Sequence, residues 1–339
     1  MYIMITNQRP GVYSRVEISG PTGGGRGKAA LLLPLEEGGP PAVHLIESVG
    51  QATERLAENP LALRCLGLLL GGGAGRVTLI TSPDLPGALE ALDRQAPVDA
   101  IVCGFAGPDE LIRLRDFTLA AACNQREAVA FAGIADPRAA IQAARAVCSG
   151  RVALTCPAVS PDGGEPHPIY GACALAAAVV SAPTPIQPFA GREFPGLGEA
   201  SPLREEDVQA LLGAGVCVFE GVGAGARLIR ALTTDVPDER GGGGRLRLLN
   251  TVLIADHVIK GVRGALGQKL GGPGPATIEG IRDQVAVELA GQQDAGILAA
   301  FSPPRCRADQ DDPGVCLVEI SFEVARLLSR IHLTAQIRV

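Results

Sequence analysis

Four short apolar runs in the first half of the chain alternate with segments of helical periodicity. The runs cover 77–81, 98–103, 128–131 and 152–155, and the helical segments cover 84–92, 109–124 and 137–148. Within each run, apolar residues follow one another instead of alternating with polar ones, which is typical of strands covered on both faces. The pattern predicts βαβ units in an α/β domain with a mainly parallel sheet, within a chain that is α+β overall.

The third of these helices carries clear boundary signals. Asp136 is suited to accept hydrogen bonds from the free amides of the first turn, and Pro137 suits the first helical position. Gly150 follows the predicted end at residue 148. We therefore expect this helix to begin and end close to residues 137 and 148.

Two passages rich in Pro and Gly separate the second half of the chain from the first. Between these passages, an Ala-rich helix is predicted near 170–181. Beyond them the pattern predicts a helix at 205–212, strands at 216–220 and 227–232, and helices at 248–266 and 277–290. The helix at 248–266 carries Asp256, Lys260 and Arg263 on its polar side. We divide the chain into an N-terminal arm and hinge (1–28), an α/β domain (29–182), an α+β core domain (183–314) and C-terminal paired strands (315–339).

The C-terminal end shows strict alternation of apolar and polar residues in two stretches. The apolar positions are Cys316, Val318, Ile320, Phe322 and Val324 in the first stretch, and Ile331, Leu333, Ala335, Ile337 and Val339 in the second. Alternation with period two predicts two half-buried strands.

A shorter alternating stretch near the N-terminus is isolated by its neighbours. Val16 and Ile18 alternate with polar residues, Pro10 and Gly11 precede them, and Pro21 follows. Pro and Gly leave this strand little local chain to pair with, so its partner is either a distant part of the same chain or another molecule. The alternation alone leaves both readings open, since each terminal strand could also join the sheet of its own domain.

Composition narrows the classes of function. The 339 residues include 47% hydrophobic residues and carry a formal net charge of −6, with no basic run interleaved with aromatic residues. We therefore expect no nucleic-acid partner.

The N-terminus has no secretory leader pattern, and the most apolar stretch, 61–70, is too short to span a bilayer. The nine cysteines form no CxxC pair, which indicates buried thiols in a reducing compartment.

A glycine-rich stretch at 22–29 resembles a phosphate-binding P-loop but departs from it twice. Thr22 stands where the first glycine is required, and Ala29 stands where a Ser or Thr would bind magnesium. We interpret the stretch as a hinge.

A second glycine-rich stretch, Gly221-Val-Gly223-Ala-Gly-Ala226, fits the looser dinucleotide fingerprint. The residues after Ala226 read as a strand rather than as the helix whose N-terminus would face a pyrophosphate. We favour a hairpin loop and retain a Rossmann-type nucleotide-dependent enzyme as the alternative. The four histidines lack metal-ligand spacing, and no nucleophile elbow is present. We expect no catalytic residues, no metal and no cofactor.

Several motifs together resemble the sheath proteins of contractile tails in bacteriophages and related particles. Arg9-Pro-Gly-Val-Tyr13 resembles the opening of these proteins, and the stretches 225–234, 248–272 and 315–339 resemble their later elements in the same order. The middle region, about 29–180, resembles these proteins only in its α/β type.

The resemblance implies a structural subunit that polymerises as stacked hexameric rings around an inner tail tube and contracts to drive that tube through a cell envelope. Its expected partners are copies of itself, the tube protein, and baseplate and terminator proteins, in a particle assembled in the bacterial cytoplasm. Strands exchanged between subunits would link the lattice. The implied pairing residues are Tyr13, Arg15, Val16, Glu17 and Ile18 in the N-terminal arm, and Val318, Ile320, Phe322, Leu333, Ala335, Ile337 and Val339 at the C-terminal end, with Gly23, Gly24 and Gly25 as the hinge.

Overall fold

The computed structural model describes residues 27–325 except 36–38, 57–58, 162–163, 195, 224, 238–242, 271–276 and 312–314. The strands are β1 (Lys28–Pro34), β2 (Ala42–Ile46), β3 (Arg76–Ser82), β4 (Ala100–Cys103), β5 (Val129–Gly133), β6 (Val152–Cys156), β7 (Val159–Pro161), β8 (Leu197–Ala200), β9 (Val216–Val222), β10 (Gly225–Leu228), β11 (Leu298–Ala308) and β12 (Cys316–Val324). The helices are α1 (Val49–Leu56), α2 (Pro60–Gly71), α3 (Leu85–Asp93), α4 (Pro108–Cys123), α5 (Pro137–Val147), α6 (Pro168–Ser181), α7 (Glu205–Gly213), α8 (Leu249–Leu270) and α9 (Ile278–Asp294).

The larger sheet has the strand order β10-β9-β6-β5-β4-β1-β3-β2. Neighbours from β9 through to β3 run parallel, while β10 and β2 at the edges pair antiparallel. Every residue of β5 is buried, as continuous apolarity predicts for a strand covered on both faces. The predicted α/β class with a mainly parallel sheet is confirmed.

Helices cover both faces of this sheet. Helices α3, α4, α5 and α7 form one layer, and α2 packs with α6 in the other. Helix α6 is buried along its length because its many alanines allow close approach. At Gly133 in β5, an added Cβ would lie 1.9 Å from the Pro168 carbonyl oxygen at the start of α6. Only glycine fits this crossing.

The helix predicted at 137–148 has the expected boundaries. The Asp136 carboxylate accepts a hydrogen bond from the Ala139 amide at 2.8 Å, and Pro137 occupies the first turn. The helix ends at Val147, and Cys148 follows with a left-handed φ of 41°.

Some elements differ from the sequence prediction. The strand expected at 227–232 ends at Leu228, and Leu232 forms only an isolated bridge with Leu248. Strands β1 and β11 and helix α2 were not predicted, although β1 lies in the middle of the sheet. None of the helices in the described ranges is long and apolar enough to cross a membrane.

A second, smaller hydrophobic core lies between helices α8 and α9 and the two-stranded sheet β11–β12. Its buried residues are Ile254, Val258, Val262, Val285, Leu289, Ile297 and Leu298. The larger sheet runs past the boundary predicted near residue 182, because β9 pairs with β6. The domain division itself stays a prediction.

Candidate assembly surface

Strand β12 shows the alternation that the sequence predicts. Val318, Ile320, Phe322 and Val324 are half-buried, whereas Glu319, Ser321 and Glu323 are exposed. The apolar side chains pack against the smaller core. Their partial exposure leaves apolar surface that further packing could cover.

Strand β11 pairs antiparallel with β12 and is irregular in the middle. The register shifts between Ser302 and Arg305, where Pro303 and Pro304 lie. Proline has no amide hydrogen to donate to a ladder, so it occurs at bulges and sheet edges. Before the strand, Gly296 has a φ of +72°, which reverses the chain after α9.

An apolar groove separates β12 from α8. It has a volume of about 430 Å³, and its apolar lining includes Ile259, Val262, Leu266, Val318 and Ile320. Ile259 is 38% exposed although it lies beside the core.

The two-stranded sheet has open edges within the described residues, since β11 and β12 pair only with each other there. Backbone groups on such edges can pair with another strand. The described chain ends at Ala325, whose amide donates to the Ile297 carbonyl oxygen at 3.1 Å. Ala325 is therefore still held beside the start of β11.

A cluster of ion pairs, which we call the polar joint, connects α8 to the amino ends of strands in the larger sheet. It contains Asp99, Glu127, Arg151, Asp256, Lys260 and Arg263. Arg151 donates to both carboxylate oxygens of Asp256 at 2.8 and 2.7 Å. Arg263 donates to both oxygens of Glu127 at 3.2 and 2.6 Å. The predicted polar side of α8 thus faces the sheet.

Burial and ion pairing shift the pKa of Glu127 in opposite directions. Burial alone would raise the pKa of this carboxyl, but hydrogen bonds from Arg263 and the positive charges of Arg263 and Lys260 outweigh it and leave the pKa lowered. At Arg151, the hydrogen bond to Asp256 outweighs burial and raises the pKa. Both groups are therefore held in their charged forms.

The predicted strand-pairing residues Val318, Ile320 and Phe322 lie together on the inner face of β12. The others lie outside the described residues. These are Tyr13, Arg15, Val16, Glu17 and Ile18, the hinge residues Gly23, Gly24 and Gly25, and the C-terminal residues Leu333, Ala335, Ile337 and Val339. Their pairing stays a prediction.

The stretch with the dinucleotide fingerprint forms the turn of a hairpin. Strand β9 ends at Val222 and β10 begins at Gly225, with Arg227 paired to Glu220 across the hairpin at 2.7 Å. In the described part of this stretch, the residues from Gly225 to Leu228 form a strand, not a helix whose N-terminus could face a pyrophosphate. The hairpin interpretation is confirmed.

The P-loop-like stretch leads into a strand rather than into a helix. Lys28 and Ala29 begin β1, and the Lys28 amide donates to the Asp99 carboxylate at 3.1 Å. A P-loop instead opens a helix whose amides bind phosphate.

No cluster of metal-binding side chains occurs among residues 27–325 outside the gaps named above. His44 lies in β2 and His257 in α8, whereas His167 caps α6 by accepting from the Ile169 amide at 3.2 Å. Burial lowers the pKa values of His167 and His257.

Solved structures with the same fold include tail sheath proteins and chains of the anti-feeding prophage. The sheath tail protein of Desulfitobacterium hafniense is 12% identical, with 93% of this chain and 100% of that chain covered and a TM-score of 0.67. The chain has the tail sheath fold. The sheath tail protein of Listeria innocua is 12% identical, with 89% and 92% of the two chains covered and a TM-score of 0.70.

The tail sheath fold also extends to the contracted helical sheath of the anti-feeding prophage. That chain is 15% identical, with 97% of this chain and 99% of that chain covered, and the TM-score is 0.69. Family models and curated proteins gave no match to the sequence. The predicted resemblance is therefore confirmed by the fold.

Proposed function

We propose that this protein is a structural subunit of a contractile tail sheath. The observation that carries the proposal is a tail sheath fold over nearly the whole chain, combined with a two-stranded sheet whose edges are open among the described residues and whose apolar face is half-covered. Subunits would polymerise as stacked hexameric rings around an inner tube and would contract to drive that tube through the target cell envelope. The particle would be assembled in the bacterial cytoplasm.

Strand exchange is the proposed link between subunits. Terminal strands 13–18 and 331–339 of neighbouring copies would add to the edges of β11–β12, so that main-chain hydrogen bonds hold the lattice. The groove beside β12 would receive apolar side chains of an added strand, because Ile259 and Ile320 line it. The inner tube, baseplate and terminator proteins are the further proposed partners, and nucleic acid is not.

Negative-stain microscopy of the purified full-length protein tests the proposal. Tubes or stacked rings are expected. A uniform small oligomer whose melting temperature rises with NAD or ATP would contradict the proposal and favour the nucleotide-dependent enzyme.

Truncation tests the role of the two ends. Chains that lack residues 1–19 or 331–339 are expected to stay folded and to form no tubes. If either truncation unfolds the protein, that end belongs to the core of its own chain.

A peptide of residues 10–19 offers a matched test of strand addition. The peptide is expected to bind the chain that lacks residues 1–19, whereas the same peptide with Val16→Asp and Ile18→Asp is not. Equal binding of both peptides would show that the apolar face of the strand plays no part.

A further inference from the structure

Two cysteines occupy neighbouring positions on one face of the β11–β12 hairpin. Cys306 lies opposite Val318, and Cys316 lies opposite Ala308. Directly opposed residues share a face, and so do residues two apart on one strand. Cys306 and Cys316 are therefore diagonal neighbours on the same face.

The twist of the hairpin favours this particular diagonal. Antiparallel pairs twist with a right hand, which brings the residue farther from the loop on the first strand towards the residue nearer the loop on the second. Cys306 and Cys316 hold these two positions, since the loop lies between Ala308 and Cys316. Burial raises the pKa of Cys306, the nearby Cys316 raises it further, and Arg282 partly offsets this.

Both thiols are also accessible. Cys306 and Cys316 are half-buried and free, whereas Cys65, Cys103, Cys156, Cys173 and Cys217 are fully buried. Cys123 and Cys148 are exposed but lie on other elements, at the end of α4 and after α5.

We propose that Cys306 and Cys316 form a redox-sensitive pair that closes into a cross-strand disulfide when an oxidant is present. Each thiol loses one proton, the two sulfur atoms form one S–S bond, and a diazene oxidant takes up two electrons and two protons to become a hydrazine. Diagonal Cα atoms in a sheet are about 7–8 Å apart, so closure has to bring the Cα atoms of Cys306 and Cys316 about 1 Å closer together. The disulfide would fasten β11 to β12.

Oxidation of the full-length protein followed by peptide mapping tests this pair. The protein is treated with diamide at about pH 8.5, where a larger share of the thiols is ionised, free thiols are blocked with N-ethylmaleimide, and the protein is digested with trypsin without reductant. The expected product is the dipeptide Cys306–Arg307 joined to the peptide that starts at Ala308, and reduction separates them.

Matched variants decide the assignment. Cys306→Ser should remove the linked peptide, and Cys123→Ser should leave it unchanged. Recovery of Cys306 and Cys316 as blocked thiols, or a linked Cys306–Cys316 peptide that comes only from the dimer band of a non-reducing gel, would overturn the proposal. Closing residues 306–316 into a ring should also raise the folding equilibrium constant in urea by about 100-fold. An unchanged constant would show that the link does not hold the hairpin.

Discussion

The contact between Arg151 and Asp256 offers a sharp test of how the two cores are connected. The side chains are only 16% and 10% exposed, and two hydrogen bonds join them. Asp256→Asn removes the negative charge while keeping nearly the same shape. The Arg151 guanidinium then stays largely buried and keeps only neutral acceptors, namely the amide oxygen of the new Asn and, at 3.5 Å, the Ala128 carbonyl oxygen.

The expected cost follows from the burial. Breaking a buried ion pair on one side costs about 3–5 kcal/mol, because the remaining charge is uncompensated. Arg151 keeps some exposure, so we expect the free energy of unfolding to fall by about 3 kcal/mol. The double variant Arg151→Met/Asp256→Leu removes both charges and should lie within about 1 kcal/mol of the natural protein.

Urea unfolding followed by far-UV circular dichroism provides the measurement, because the chain contains no tryptophan. At a slope of about 3 kcal/mol/M, the midpoint of Asp256→Asn should fall by about 1 M. Glu90→Gln, at an exposed pair with Arg94, serves as the control and should change stability by less than about 0.5 kcal/mol. Measurements at two protein concentrations separate unfolding from dissociation. The reasoning is refuted if the double variant is less stable than Asp256→Asn.

Two further predictions use other parts of the structure. Gly133→Ala should lower the free energy of unfolding, measured in a thermal or urea melt, by about 3 kcal/mol or more, because the new Cβ would meet the Pro168 carbonyl oxygen. The control Gly67→Ala has open space around it and should raise the free energy of unfolding by about 0.5–1 kcal/mol. Equal effects of the two substitutions would contradict the close contact between β5 and α6. The lowered pKa of Glu127 means that its pairing with Arg263 stabilises the protein above the ordinary pKa of 4.5 and is lost as pH falls through the lowered value. Glu127→Gln should therefore flatten the decline of stability below pH 4.5, and an unchanged decline would show that other carboxyls cause it.

The sequence pattern predicted those elements whose structure is determined by residues close to one another in the sequence. Asp136 and Pro137 marked a helix start because capping depends on nearby residues only. The period-two alternation of Val318, Ile320 and Phe322 predicted β12 because the strand has one apolar and one polar face.

The missed elements depend on contacts that sequence pattern does not reveal. Strand β1 is a short apolar run directly after a glycine-rich stretch, and its place between β3 and β4 comes from pairing with distant strands. Strand β11 lacks clear alternation because Pro303 and Pro304 interrupt it. The polar joint could not be predicted either, since Arg151 and Asp256 meet only when the chain is folded.

Helix α8 contributes side chains to both hydrophobic cores, with Leu249 and Val252 in the larger and Val258 and Val262 in the smaller. One continuous helix resists bending and twisting far more than a loop does, and the ion pairs along it fix its rotation against the sheet. The smaller core therefore cannot turn relative to the larger one without breaking these contacts. In an assembly of such subunits, a shape change would therefore take place at the contacts between neighbouring subunits and not within each subunit. The free energy of that change would be stored and released at those contacts.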